Sequence, residues 1–147
     1  MWFIAGILGG LIAGIFMAIA SQLGHWLGIV KSHLIVIDGT FALRMLKRDG
    51  GTAIIYALGT MIHLVTSIVF GVVYVTITRV AGFAPNLPVA IVVYVLILWL
   101  AMLAIALPIA GQGFMGDKIR RSVWLEQLVL HIIFGIGFWW ALGLGII

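Results

Sequence analysis

Polar residues are scarce along this chain, and their spacing marks out its elements. Four stretches, roughly 2–21, 53–78, 88–110 and 124–147, are almost free of charge. Each holds about the 20 mostly apolar residues that a helix needs to cross hydrocarbon. A lone strand would leave its backbone unsatisfied in lipid, so each stretch is expected to be helical. The pattern predicts an all-α integral membrane four-helix bundle, one domain over 1–147. The connections are short except for 22–52. There, apolar and polar residues mix around Asp38-Gly39-Thr40, which reads as a break. Thr40 to Arg48 then fits a short interfacial helix between spans one and two. Arg44, Lys47 and Arg48 would face phosphates, with Asp38 or Thr40 as its cap.

Within the spans, small and polar positions recur at helical steps. Gly6, Gly10 and Gly14 in the first are four apart and share one face, which lets two backbones come close. In the second, Tyr56, Thr60, His63, Ser67, Gly71, Tyr74 and Thr78 form one stripe, so His63 is expected to face the bundle interior. In the fourth, Gln127, His131 and Gly135 form the equivalent stripe. Pro108, near the end of the third, is expected to free a carbonyl and bend its helix.

Composition agrees with a lipid environment. The residues are 65% hydrophobic and 8% charged, and mean hydropathy is +1.33. A soluble domain is roughly 45–50% apolar and about 25% charged. Seven of the 8 basic residues lie in 22–52 and 111–123, and only Arg79 lies on the other side. By the positive-inside bias those two segments face the cytoplasm and both termini face outward. The bacterial inner (plasma) membrane is the expected location, with no nucleic-acid partner. Trp2, Trp26, Trp124, Trp139 and Trp140 sit near span ends, as an aromatic belt would. The absence of cysteine removes disulfides, thiolate metal sites, iron–sulfur clusters and cysteine nucleophiles.

The candidate chemistry rests on histidine. His63 and His131 enter their spans from the same side, at depths that agree within a few ångström. His25 and His33 lie on that side too. Two inward imidazoles at one level are what a b-type haem requires, and a quinone head can use the same groups. Gly59, Gly71 and Gly135 would let a ring approach the backbone, and Phe134, with Phe70, Tyr74, Phe138 and Trp139, would line it. The plainer alternative is that each histidine bonds a hydroxyl or carbonyl across a helix contact. Glu126 and Asp117 read as charge partners of Lys118, Arg120 and Arg121. No Ser-His-Asp set, no paired carboxylates and no Glu-x-x-His motif is present, so a catalytic role of its own is not expected, and no metal is assigned.

The stretches GGLIAGIFMA (9–18), His63 followed by FGVVY (70–74), PIAGQGFMG (108–116) and HIIFGIGF (131–138) resemble a family of small bacterial four-span inner-membrane proteins, a domain of unknown function. The resemblance covers nearly the whole chain and implies the four-span plan and attention to His63 and His131. It implies no activity. The 22–52 segment is longer and more basic than that pattern and is a candidate docking surface. The leading expectation is a small subunit of a larger membrane complex, respiratory or electron-transferring, that touches haem b or quinone through His63 and His131. The alternatives are a structural accessory subunit, or a small transporter or channel built as a homo-oligomer. The expected partners are the lipid bilayer and other membrane subunits.

Overall fold

The computed structural model describes residues 2–144, and all its regular elements are helical. Four helices are long and apolar enough to cross a membrane: Trp2–Trp26, Thr52–Ala81, Pro88–Ile109 and Val123–Gly143. We label the first two α1 and α3. The third comprises α4 (Pro88–Ala101), a π-helical turn (Met102–Ala106) and α5 (Leu107–Ile109). The fourth is α6. Residues 145–147 of the expected fourth span lie outside the described residues. The spans alternate in direction. Consequently the C-terminal ends of α1 and α5 and the N-terminal ends of α3 and α6 meet at one end, the end rich in Lys and Arg.

Hydrophobic burial cannot hold such helices together in lipid, so close packing must. The glycine face of α1 supplies it. A side chain on Gly10 would collide with the Ser67 carbonyl, one on Gly6 with the Val72 backbone, and one on Gly14 with the Ser67 side chain. Gly71 of α3 is pressed in turn against the backbone of Gly6 and Gly10. On another side of α1, Gly9 receives the Phe138 ring of α6, and Gly137 of α6 receives Phe16 and the Ala13 backbone. α4 packs on α6 through Ile91 and Val95 against Gly135, and Trp99 Nε1 donates to the Trp124 carbonyl at 2.9 Å. α3 ends in a glycine cap. Gly82 has φ +74°, a left-handed value that costs a residue without Cβ little, and its N–H closes the last turn.

Between the spans lies α2 (Leu34–Met45), and here the sequence reading needs correction. Asp38-Gly39-Thr40 neither breaks nor caps the helix. It lies mid-helix, the N-cap position is His33, and the Thr40 hydroxyl donates to its own helix at Val36 O. The reason is tertiary. Gly39 sits on the Ile55 carbonyl of α3, while Gly59 of α3 sits on the Ile35 carbonyl of α2. Two glycines therefore allow α2 to lie directly on α3, and that contact outweighs glycine's poor helix propensity. Leu34, Ile37, Ala42 and Leu43 are buried, Phe41 is partly buried, and Met45 and Leu46 are exposed.

The α1–α2 connection is pinned to the start of α6. Glu126 Oε2 accepts hydrogen bonds from Lys31 N, Ser32 N and Ser32 Oγ, each at 2.9 Å. Gln127 Nε2 donates to Ser32 Oγ at 3.0 Å. Glu126 is thus an anchor for a loop rather than the partner of the nearby lysine and arginines, and Asp117 forms no ion pair among the described residues.

Candidate functional site

Helix α3 turns one buried stripe inward: Gly59, His63, Ser67, Gly71, Tyr74 and Thr78. Tyr56 and Thr60, expected on that stripe, are exposed, although Ile55 and Gly59 on the same turns pack against α2. His63 spans three helices. Its Nε2 lies 2.9 Å from the Gly14 carbonyl of α1, and its Nδ1 lies 3.1 Å from Asp38 Oδ2 of α2. A carbonyl only accepts, so Nε2 carries a proton. Asp38–His63 is the one close pairing of an acidic with a basic side chain among the described residues. α2 is not one of the spanning helices, and burial raises the Asp38 carboxyl above its usual value, with the His63 imidazole opposing the rise.

His131 is buried on α6, one turn from Gln127, whose carbonyl lies 2.8 Å from His131 Nδ1. That nitrogen must donate, so in the neutral ring Nε2 is left as a bare acceptor. No hydrogen-bond partner for it is found among the described residues.

Asp38, His63 and His131 line one cavity of about 240 Å³ with Ser67, Phe134 and the π-helical turn. Its walls come from α1, α2, α3, α4, the π-helical turn and α6, and they are mostly apolar. The cavity exists because α3 and α4 are not packed against one another among the described residues. They meet above it, where Tyr94 Oη donates to the Phe70 carbonyl at 2.9 Å and the Tyr74 and Tyr94 rings stand 5.1 Å apart. Below that bridge the rims are lipid-facing residues, Phe70 on one side and Ile105 on the other. The π-helical turn forms part of the wall. Leu107 N reaches back five residues to Met102 O, and Pro108, having no N–H, cannot restore the α-helical pattern. The bend expected at Pro108 is thus a widened turn beside the cavity.

Six residues stood out in the sequence as candidates. His63, His131 and Phe134 come together around the cavity. Gly59, Gly71 and Gly135 do not face it; their faces are filled by α2, α1 and α4 respectively. Phe70 lines the cavity, Tyr74 and Phe138 form an aromatic layer beside it, and Trp139 is exposed. Asp38 was missed as a site residue because a residue 25 positions earlier, on a short interfacial segment, carries no periodic link to His63. Its signal was its place directly after the apolar run Leu34–Ile37, a setting it shares with Glu126 after Val123–Leu125.

His25 and His33 form a separate pair at the basic end, with ring centroids 4.7 Å apart, and His33 Nε2 lies 3.2 Å from the Tyr56 hydroxyl. Burial, then the His25 ring, hold His33 below the ordinary histidine value. Among the described residues no group of three or more His, Cys, Asp or Glu is placed to hold a metal ion. No family model, curated protein or solved structure matches the chain.

Proposed function

We propose that the chain is a small subunit of an electron-transferring membrane complex and that it binds the head of a quinone in the pocket of His63, His131 and Asp38. The observation that carries this reading is a cavity with a polar floor and apolar walls that opens between α3 and α4. At about 240 Å³ it is below the roughly 300–1,000 Å³ that encloses a drug-sized ligand. It suits one substituted ring, with an apolar tail leaving through the gap into lipid. Quinone is favoured over haem b by the state of His63. A haem iron needs a free ring nitrogen on each axial histidine, and both His63 nitrogens already have partners.

The positive-inside distribution of Lys and Arg supports an orientation with the basic end and α2 in the cytoplasm. In that orientation the pocket would lie in the cytoplasmic half of the bilayer. The test is to isolate the native complex in mild detergent, extract it with organic solvent and record its visible spectrum. Stoichiometric quinone that is lost on Ala101→Phe, which puts bulk into the cavity wall, with no Soret band, is the expected result. A Soret band that disappears with His63→Ala would return the reading to haem. Neither pigment nor quinone, with a complex that still assembles, would leave the structural accessory role.

A further inference from the structure

Given that reading, we infer that the pocket selects the reduced, hydroxyl-bearing form of its ligand, a hydroquinone head, over the oxidised quinone. Few polar atoms around the cavity remain free, and most of those are acceptors. His63 offers nothing outward. Its Nε2–H is taken by the Gly14 carbonyl, and its Nδ1 is taken by Asp38. That internal bond consumes one proton wherever it resides: as an imidazolium facing a carboxylate, or as a neutral ring accepting from a carboxylic acid. In either form Asp38 Oδ1 is left as an acceptor, and no partner for it is found among the described residues.

The other groups tilt the same way. His131 has spent its Nδ1–H on the Gln127 carbonyl and keeps a bare Nε2. The Thr66 hydroxyl donates to Ile62 O at 2.7 Å. Neither Asp38 Oδ1 nor His131 Nε2 is among the polar atoms sealed away without a partner, which are His33 Nδ1, Tyr74 Oη, Glu126 Oε1 and Gln127 Oε1. Both residues line the cavity. The lining therefore presents acceptors on α2 and α6 and one uncommitted donor, the Ser67 hydroxyl on α3. A quinone carries two carbonyl acceptors and would leave most of these atoms unpaired in an apolar surround. A hydroquinone carries two hydroxyl donors on opposite sides of its ring. A site whose buried polar atoms are unpaired by the wrong ligand discriminates strongly against it.

The experiment uses the full chain in nanodiscs of quinone-free phospholipid, kept anaerobic. The probes are a decyl-tailed 1,4-benzoquinone, its hydroquinone and the hydroquinone dimethyl ether, which keeps the aromatic ring and both oxygens but has no donors. The hydroquinone is expected to bind about tenfold or more tighter than either of the others, the gain of about two net hydrogen bonds. Preferential binding of the reduced form raises the midpoint potential of the bound couple by about 30 mV per tenfold. His131→Leu is expected to remove most of this preference while the quinone binds as before. Ala101→Phe, on the facing wall, is expected to exclude all three probes, and it serves as the second variant if His131→Leu fails to fold. Quinone or ether binding as tightly as hydroquinone overturns this inference and leaves the quinone-site reading standing. No binding of any probe to the wild-type chain overturns both.

Discussion

Helix α3 has two neighbours of opposite character. Toward α1 it closes until backbones touch, with Gly6, Gly10 and Gly71 interleaved. Toward α4 it meets its neighbour only through tyrosine side chains, and the bond from Tyr94 to the Phe70 carbonyl bridges a gap that holds the cavity. Both sides are apolar, so hydropathy does not distinguish them. The presence of small residues at helical steps does. Lipid solvates a leucine as well as another helix does, so only surfaces that let backbones approach gain from association. On the side of the gap α4 and the π-helical turn present Tyr94, Leu98, Ala101 and Ile105, mostly bulky side chains that gain little by closing. The open side is also where polar atoms are gathered, because the buried stripe of α3 brings His63 and Ser67 to its edge.

The largest effect that would break this contrast comes from bulk on the closed side. Gly10→Leu is expected to cost about 3 kcal/mol or more, at the upper end of overpacking. Ala101→Leu on the open side is expected to stay within about 1 kcal/mol. Equal losses in a steric-trapping or urea unfolding measurement in bicelles would erase the distinction. Next in size is the polar floor. His63→Leu leaves Asp38 without its partner and is expected to cost about 1–3 kcal/mol. Asp38→Ala should cost a similar amount, and the double variant less than the sum of the two; strict additivity would show that the pair does not interact.

A smaller effect concerns the loop that carries α2. Glu126→Ala removes the acceptor of three hydrogen bonds and is expected to cost about 1–2 kcal/mol. The readout is faster amide exchange at Lys31 and Ser32, while the α1–α3 contact keeps its protection. The smallest is a pH effect. The folded state holds His33 below its ordinary value, so folding disfavours its protonation. This part of the stability is fully present above about pH 6.5 and diminishes as the pH falls through that value. Protection at residues 29–33, after the intrinsic pH dependence of amide exchange is divided out, should fall between pH 7.5 and 5.5, and His33→Gln should flatten the decline.

These contacts also show which parts of the molecule the amino-acid pattern reveals. The spans were legible because about 20 apolar residues admit one solution in lipid. The α1 contact face was legible because Gly6, Gly10 and Gly14 repeat at the helical step. His63 and His131 were legible as inward groups for the same reason. α2 was misread at its start, because Asp38-Gly39-Thr40 has the composition of a turn, and only the packing of Gly39 on α3 makes it helical. Gly59, Gly71 and Gly135 were assigned to a ligand because composition cannot tell a glycine that admits a ring from one that admits a helix. The gap beside α4 was invisible in the sequence, since it follows from which pairs of helices fail to pack.

The most direct measurement is a photo-cross-linking map on the reconstituted full chain. The probe is a decyl-tailed hydroquinone carrying a diazirine midway along its tail, with a diazirine-bearing alkane as reference. Labelling is expected to concentrate on Phe70, Leu98 and Ile105 along the gap, to be competed away by unlabelled hydroquinone and to be lost in Ala101→Phe. Labelling spread evenly over lipid-facing residues such as Ile19, Val129 and Ile136, indistinguishable from the alkane, would contradict a ligand site in the gap.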